Sequence, residues 1–148
     1  MTTICADKQR MVSDSKIIMV KNGGDTQFSG PKLVRKQLAI IGVAGDSDDG
    51  DRFIKWYGSR KRKPKPTAEF EALVLTPKGL YHYDDALSCN RVNDPWFAIG
   101  SGSHAALGAL HAGCDLERAV EIASYVDPNT GLPCQIMSLI DDAIQATI

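Results

Sequence analysis

This sequence has almost no net charge. Its 148 residues include 17 lysines and arginines and 18 aspartates and glutamates, so the formal net charge at pH 7 is −1. A chain with this balance has no overall electrostatic attraction to nucleic acid or to an anionic membrane. We therefore expect neither nucleic acid nor membrane as a partner.

Cysteine is also scarce and follows no metal-binding pattern. The four cysteines, Cys5, Cys89, Cys114 and Cys134, are far apart and form no C-x-x-C pair, unlike the ligands of a zinc site. The N-terminus lacks the basic and apolar regions of a secretory signal, and no apolar run approaches the roughly 18 residues that span a bilayer. These absences predict a cytoplasmic chain with reduced, mostly buried thiols and no metal.

The rest of the composition is that of one folded domain. Hydrophobic residues make up 43% and charged residues 24% of the chain, as is usual for soluble globular proteins, and the length fits a single domain over residues 1–148. Short apolar segments predict strands within residues 2–20, 32–44, 69–83, 97–100 and 134–139. Helical signals lie at residues 47–58, 104–111 and 115–125. This order predicts an α+β domain.

One segment indicates how the strands are arranged. Leu38 to Ala44 is nearly all apolar, which suits a strand buried on both faces. Two sheets packed between layers of helices would explain such a strand.

The first residues carry the clearest chemistry. Met1 precedes Thr2 and Thr3, and an initiator methionine is generally removed before a small residue such as threonine. Removal would expose the α-amine of Thr2, which then carries a hydroxyl nucleophile and a base on one residue. A free α-amine has a pKa near ~7.7–8.0, close to the ideal for a base at neutral pH.

Later segments make this reading more specific, because together with the N-terminus they follow the order of a known family. The segments are Thr2–Ile4, Met11–Asp14, Pro31–Leu33, Gly42–Gly45, Ala98–Ser103 and Asp127–Gly131. Each is weak alone, but in this order the chain resembles the peptidase family of proteasome β subunits and HslV. Ala98–Ser103 is the most diagnostic segment, because it nearly reproduces the Gly-Ser-Gly turn of that family.

The resemblance implies a four-layer αββα sandwich with two antiparallel sheets. The stretch from Gly45 to Ser101 is shorter than in the family and holds one predicted helix where the family has two. A basic, proline-containing linker, Lys61–Pro66, takes the place of the second helix. We therefore expect one of the helix layers to be reduced.

The resemblance also implies residue roles around Thr2. Lys32 would lie beside Thr2 and stabilise its neutral amine, and Asp14 would hold Lys32 in place. Three further residues would surround the amine with hydrogen bonds: Ser101, Asp127 and Thr130.

Two residues near the end of the Gly42–Gly45 segment would contact the substrate. The backbone N–H of Gly45 would form the oxyanion hole, and Val43 would line an apolar pocket of moderate size for the side chain before the cleaved bond.

As a function, the resemblance implies a threonine-type endopeptidase that assembles with copies of itself into a ring. An ATP-dependent unfoldase would be its partner, and peptides or unfolded proteins its substrates. Peptide hydrolysis would require no cofactor, and a monovalent cation is left open. Two alternatives stay open as well: a non-peptidase amidohydrolase with the same nucleophile, and an inactive, proteasome-like shell subunit that keeps Met1.

Several of these segments also have plainer explanations. Lys32 and Asp14 alone would be read as a surface ion pair, which is worth ~0–1 kcal/mol. Gly100–Ser103 alone could be an ordinary turn or a phosphate cradle. Cys5 suits a buried strand better than a reactive thiol, and Lys61–Lys65 suits a solvated loop better than a nucleic-acid contact.

Overall fold

The computed structural model describes residues 2–139, so the predicted removal of Met1 lies outside the described residues. The strands are β1 (Thr3–Asp7), β2 (Arg10–Ser13), β3 (Lys16–Met19), β4 (Thr26–Ser29), β5 (Leu33–Lys36), β6 (Ala39–Gly45), β7 (Phe70–Thr76), β8 (Gly79–Tyr83), β9 (Cys89–Arg91), β10 (Trp96–Gly100) and β11 (Gln135–Ser138). The helices are α1 (Ser47–Trp56), α2 (Ser103–His111) and α3 (Leu116–Val126).

The strands form two main antiparallel sheets. The first, which we call the N-terminal sheet, has the order β10-β1-β2-β11, and the second, the central sheet, has the order β5-β6-β7-β8-β9. Register places Thr3 opposite Gly100 in the N-terminal sheet and Gly45 opposite Phe70 in the central sheet. A separate two-stranded hairpin joins β3 to β4.

Three apolar clusters separate four layers. One cluster lies between the two sheets and includes Ile4, Met11 and Leu73. A second joins the N-terminal sheet to α2 and α3, and a third joins the central sheet to α1 around Phe53. The predicted αββα sandwich is therefore confirmed, and its reduced layer is α1, the helix that the described residues place between Gly45 and Ser101.

The apolar run predicted to be buried on both faces is the inner strand β6. Successive side chains of a strand point to opposite faces of its sheet. Ile40 accordingly packs between the two sheets, whereas Ile41 packs in the cluster under α1. Both are fully buried, and each contributes roughly 1.5–3 kcal/mol by leaving water.

Acidic residues start two of the helices as local rules predict. The side chain of Asp46 accepts a hydrogen bond from the N–H of Asp49 at the start of α1, and Asp115 accepts one from Arg118 at the start of α3. These caps satisfy N–H groups that have no partner within the helix. None of the helices within residues 2–139 is long and apolar enough to cross a membrane.

The sequence pattern missed two strands and misjudged the thiols. Strands β4 and β9 consist of exposed residues, so they lack the apolar alternation that marks a half-buried strand. The expectation of mostly buried thiols was wrong. Cys5 is buried, but Cys89 is exposed and Cys114 and Cys134 are half-buried. The linker Lys61–Lys65 is largely exposed, as expected for a solvated loop.

Candidate active site

Thr2, Lys32 and Asp14 meet where β1 begins and β2 ends in the N-terminal sheet. The Lys32 Nζ donates a hydrogen bond to Thr2 Oγ1 over 3.0 Å and lies 2.9 Å from Asp14 Oδ1. Thr2 precedes β1, Asp14 follows β2, and Lys32 precedes β5. Pairing of β1 with β2 brings Thr2 and Asp14 together, and Lys32 directly precedes β5 of the central sheet.

Burial distinguishes this ion pair from a surface contact. The side chain of Lys32 is 8% exposed and that of Asp14 is fully buried, which excludes the surface interpretation. Burial lowers the pKa of Lys32 and outweighs the opposing effect of the Asp14 carboxylate. A lowered pKa makes the ammonium a better proton donor than an ordinary surface lysine.

Asp14 also organises the backbone around the site. Its Oδ1 accepts a hydrogen bond from the N–H of Thr3 at 3.1 Å. Its Oδ2 accepts from the N–H groups of Gly131 at 3.0 Å and Lys16 at 3.2 Å. The carboxylate therefore holds three chain segments together besides Lys32.

A second polar cluster lies on the other side of Thr3. Asp127 Oδ2 accepts hydrogen bonds from Ser101 Oγ at 2.6 Å and from Thr130 Oγ1 at 2.7 Å. Thr130 has a single hydroxyl proton, which it gives to Asp127. The 2.6 Å contact between Thr3 Oγ1 and Thr130 Oγ1 must then have Thr3 as its donor.

This chain of hydroxyls ends on an ionised carboxylate. Burial acts to raise the pKa of Asp127. The hydrogen bonds from Ser101, Thr130 and the N–H of Asn129 together outweigh this effect, so the pKa of Asp127 lies below its usual value. The structure thus brings Ser101, Asp127 and Thr130 together. It adds Thr3, whose role the sequence motifs did not reveal.

Two glycines make the close approach of these clusters possible. Gly100 has a φ of 97°, and a Cβ there would clash with the carbonyl oxygen of Thr2. A Cβ on Gly102 would clash with the hydroxyl of Thr3 and lie 3.0 Å from Thr130 Oγ1. The Gly-Ser-Gly turn is therefore a close backbone contact with the N-terminal strand and not merely a connection into α2.

Gln135 is a further residue that the sequence did not indicate. Its Oε1 accepts hydrogen bonds from the N–H of Lys32 at 2.7 Å and of Leu33 at 2.9 Å. Since Gln135 begins β11 of the N-terminal sheet, this contact fixes the backbone of Lys32 against that sheet. A glutamine carries no motif of its own, so only its position in space reveals this contact.

Gly45 and Val43 lie on β6, and neither residue type has a side chain that can form a hydrogen bond. Gly45 has a φ of 110°, and a Cβ there would clash with the carbonyl oxygen of Glu69. Val43 is half-buried and faces α1 closely enough that a Cβ on Gly50 would lie 2.7 Å from its Cγ1.

Two grooves lie on the surface of the molecule. One, of about 380 Å³, has three tyrosines among its lining residues, Tyr57, Tyr81 and Tyr83, and lies on the outer face of the central sheet. The other, of about 370 Å³, lies between Phe28 and Leu132 and is also lined by Lys16 and Gly131, whose N–H groups bind Asp14. Neither is lined by Thr2 or Lys32, and the site is identified by its hydrogen-bond geometry. Residues 2–139 contain no group of three or more potential metal ligands.

Comparisons with known proteins show the fold of this chain. No protein family and no curated protein matches this chain by sequence. Its structure is similar to that of eukaryotic HslV from Trypanosoma brucei, with a TM-score of 0.69 and 18% identity over 92% of this chain and 98% of that one. It is also similar to BPH of Thiobacillus denitrificans, with a TM-score of 0.64 and 17% identity over 93% and 97% of the two chains. A complex of that BPH with epoxomicin gives a TM-score of 0.64 and 18% identity over 93% and 98%. The chain therefore has the fold of the proteasome/HslV type.

Proposed function

We propose that this chain is a threonine-type endopeptidase, with Thr2 as its nucleophile after Met1 is removed. The observation that carries the proposal is the buried Lys32 ammonium, 3.0 Å from Thr2 Oγ1 and 2.9 Å from Asp14. A lysine held on a threonine hydroxyl at the start of the chain suits activation of that hydroxyl. The fold similarity to HslV supports the same reading.

In the first step, the α-amine of Thr2 takes the hydroxyl proton, directly or through water, while Oγ1 attacks the carbonyl carbon of the substrate. The Lys32 ammonium favours the neutral amine, because a nearby positive charge disfavours a second one. It also stabilises the negative charge that develops on Oγ1. Asp14 is the residue that keeps this ammonium in place.

The later steps return the enzyme to its starting state. The amine of Thr2 gives its extra proton to the leaving nitrogen as the peptide bond breaks, and an ester remains on Oγ1. Water then attacks the ester and gives a proton to the same amine. The bond between the acyl carbon and Oγ1 breaks to release the acid, and the amine returns that proton to Oγ1. The hydroxyls of Ser101 and Thr130, oriented by Asp127, hydrogen-bond the amine throughout.

Gly45 and Val43 would receive the substrate. The Gly45 N–H is the proposed oxyanion donor, and one such donor is typically worth about 2.7–4 kcal/mol. Val43 would line the pocket for the side chain before the cleaved bond and favour apolar residues there. A fluorogenic peptide series that varies this side chain tests the pocket.

The same similarity in fold supports a proposal about assembly. We propose a cytoplasmic, ring-shaped homo-oligomer, because an unselective nucleophile enclosed in a chamber spares folded proteins. Peptides and unfolded proteins are the substrates, and an ATP-dependent unfoldase is the partner. Light scattering on the purified protein tests the ring, since a monomer at working concentration would contradict it.

Intact mass and a covalent probe test the nucleophile. The protein is weighed and then incubated with a peptide epoxyketone, which needs both the hydroxyl and the free amine of an N-terminal threonine. We expect loss of one methionine and a single adduct on Thr2, present in Thr2→Ser and absent in Thr2→Ala. Retained Met1 without an adduct would overturn the proposal and favour the inactive shell subunit. Cleavage of small amides but not peptides would favour the amidohydrolase.

A further inference from the structure

One carboxylate outside the polar clusters reaches the turn that closes on Thr2. Glu71 lies on β7 of the central sheet, yet its Oε1 accepts a hydrogen bond from the N–H of Gly100 at 3.0 Å. Gly100 lies at the end of β10 in the N-terminal sheet. The bond therefore links the two sheets at the point where the chain enters the Gly-Ser-Gly turn.

Strand geometry explains why Glu71 points toward this turn. Alternate residues of β7 face the same side of the sheet, and Leu73 and Leu75 belong to the cluster between the two sheets. Glu71 shares their parity, whereas Phe70 and Ala72 belong to the cluster under α1. Glu71 is thus a charged residue on the inner face of the central sheet.

His82 holds Glu71 in this position. Its Nε2 lies 2.9 Å from Glu71 Oε2, so the two oxygens of Glu71 bind different groups. The ring of His82 packs edge-on against Phe97 of β10, with centroids 5.7 Å apart. Both members of the pair therefore contact β10, one at Phe97 and one at Gly100. The hydrogen bonds that Glu71 accepts, first from His82 and then from the Gly100 N–H, lower its pKa although partial burial acts to raise it.

Gly100 has little freedom to move without disturbing the nucleophile. It pairs with Thr3, and its Cα approaches the carbonyl of Thr2 so closely that a side chain would clash there. The next residue, Ser101, is bonded to Asp127. A shift of Gly100 would thus change the position of both Thr2 and the Ser101 hydroxyl.

We propose that Glu71, held by His82, is a positioning residue that sets the Gly100–Gly102 turn against Thr2 in the reaction-competent geometry. This inference rests on the proposed function. Glu71 acts through the Gly100 N–H and touches neither substrate nor nucleophile. Its loss is therefore expected to slow chemistry more than it weakens binding, because misplacement of reacting groups by about 1 Å costs on the order of 100-fold in rate.

Kinetics of matched variants test this role. Glu121 is the control, because the two glutamates are alike in exposure and pairing. The side chain of Glu121 is 34% exposed and ion-paired, and that of Glu71 is 37% exposed and paired with His82. For Glu71→Ala we expect kcat, and the saturating rate of epoxyketone labelling, to fall about 10-fold to 100-fold. KM should change little, and Glu121→Ala should match the wild type.

A conservative variant separates positioning from loss of folding. Glu71→Gln keeps an oxygen that can accept from Gly100, so we expect it to regain most of the lost kcat. His82→Phe keeps a ring against Phe97 but loses the bond to Glu71, and an intermediate loss is expected. Thermal unfolding of each variant shows whether it is folded.

The outcomes distinguish this inference from the proposed function. If the wild type labels and turns over but Glu71→Ala is as fast as Glu121→Ala, the positioning role is wrong and the peptidase stands. If Glu71→Gln is as slow as Glu71→Ala although folded, the bond to Gly100 is not what matters, and the inference is again overturned. If the wild type itself neither labels nor turns over, the peptidase proposal fails and the positioning role fails with it.

Discussion

Asp14→Ala is expected to be among the most destabilising single substitutions in this protein. Asp14 is fully buried, and its carboxylate accepts hydrogen bonds from three backbone N–H groups and from the Lys32 ammonium. Alanine removes all four at once. The ammonium keeps its bond to Thr2 Oγ1 but loses its buried counter-charge.

The magnitude follows from burial. Removing one member of a buried ion pair typically costs about 3–5 kcal/mol, and each buried N–H left unsatisfied adds to this unless water reaches it. A domain of this size has a free energy of unfolding of roughly 5–15 kcal/mol. With a urea m-value of about 2 kcal/mol/M, a loss of 3–5 kcal/mol lowers the unfolding midpoint by about 1.5–2.5 M.

Urea unfolding of Asp14→Ala and three further variants checks this reasoning. Lys32→Met should destabilise less than Asp14→Ala, because the Asp14 carboxylate keeps its three backbone donors. Asp14→Asn keeps one acceptor oxygen and should fall between the wild type and Asp14→Ala. The double variant of Asp14→Ala and Lys32→Met should be less destabilised than the sum of its parts. A midpoint shift below about 0.5 M for Asp14→Ala, the range of a surface pair, would refute the argument.

Three further outcomes are expected. Gly102→Ala should lower the free energy of unfolding by more than about 1 kcal/mol and slow any labelling of the N-terminus, because the added Cβ clashes with the Thr3 hydroxyl. The free energy of unfolding should fall as pH falls through the acid range, because the pKa of Asp127 is lower in the folded state than in the unfolded state. The stabilisation that Asp127 contributes is therefore fully present above its unfolded pKa of about 3.9 and is lost as pH falls through its folded pKa. Asp127→Asn should flatten this pH dependence in urea titrations. Cys89, which is exposed, should react first with a thiol reagent in the native protein, and Cys5, whose pKa burial raises to about 12, only on unfolding.

Each of these three outcomes has a control. Gly108→Ala in α2 meets no atom within 4 Å and should be neutral or stabilising by up to about 1 kcal/mol. Asp51→Asn changes an exposed acid of α1 and is the surface control in the same urea titrations. Cys89→Ser should abolish the fast labelling phase. Equal destabilisation by Gly108→Ala and Gly102→Ala would contradict the proposed close approach of the turn.

The sequence alone was sufficient where local rules decide the structure. The apolar run from Leu38 to Ala44 indicated an inner strand because burial on both faces requires it. The acids around Ser47 indicated the start of a helix because they satisfy free N–H groups. Motif order placed Thr2, Asp14 and Lys32 in one family pattern, and the αββα fold that this pattern implies is confirmed.

Only the tertiary structure decided which distant groups touch. Thr3 and Thr130 are 127 positions apart, and their contact depends on where the Gly-Ser-Gly turn packs. Glu71 reaches Gly100 because two separate sheets face each other at that register. Gln135 binds the backbone of Lys32 from a third segment. Such contacts leave no pattern in the local sequence, because a hydrogen bond between layers depends on where two distant segments lie in space and not on the residues next to them in the chain.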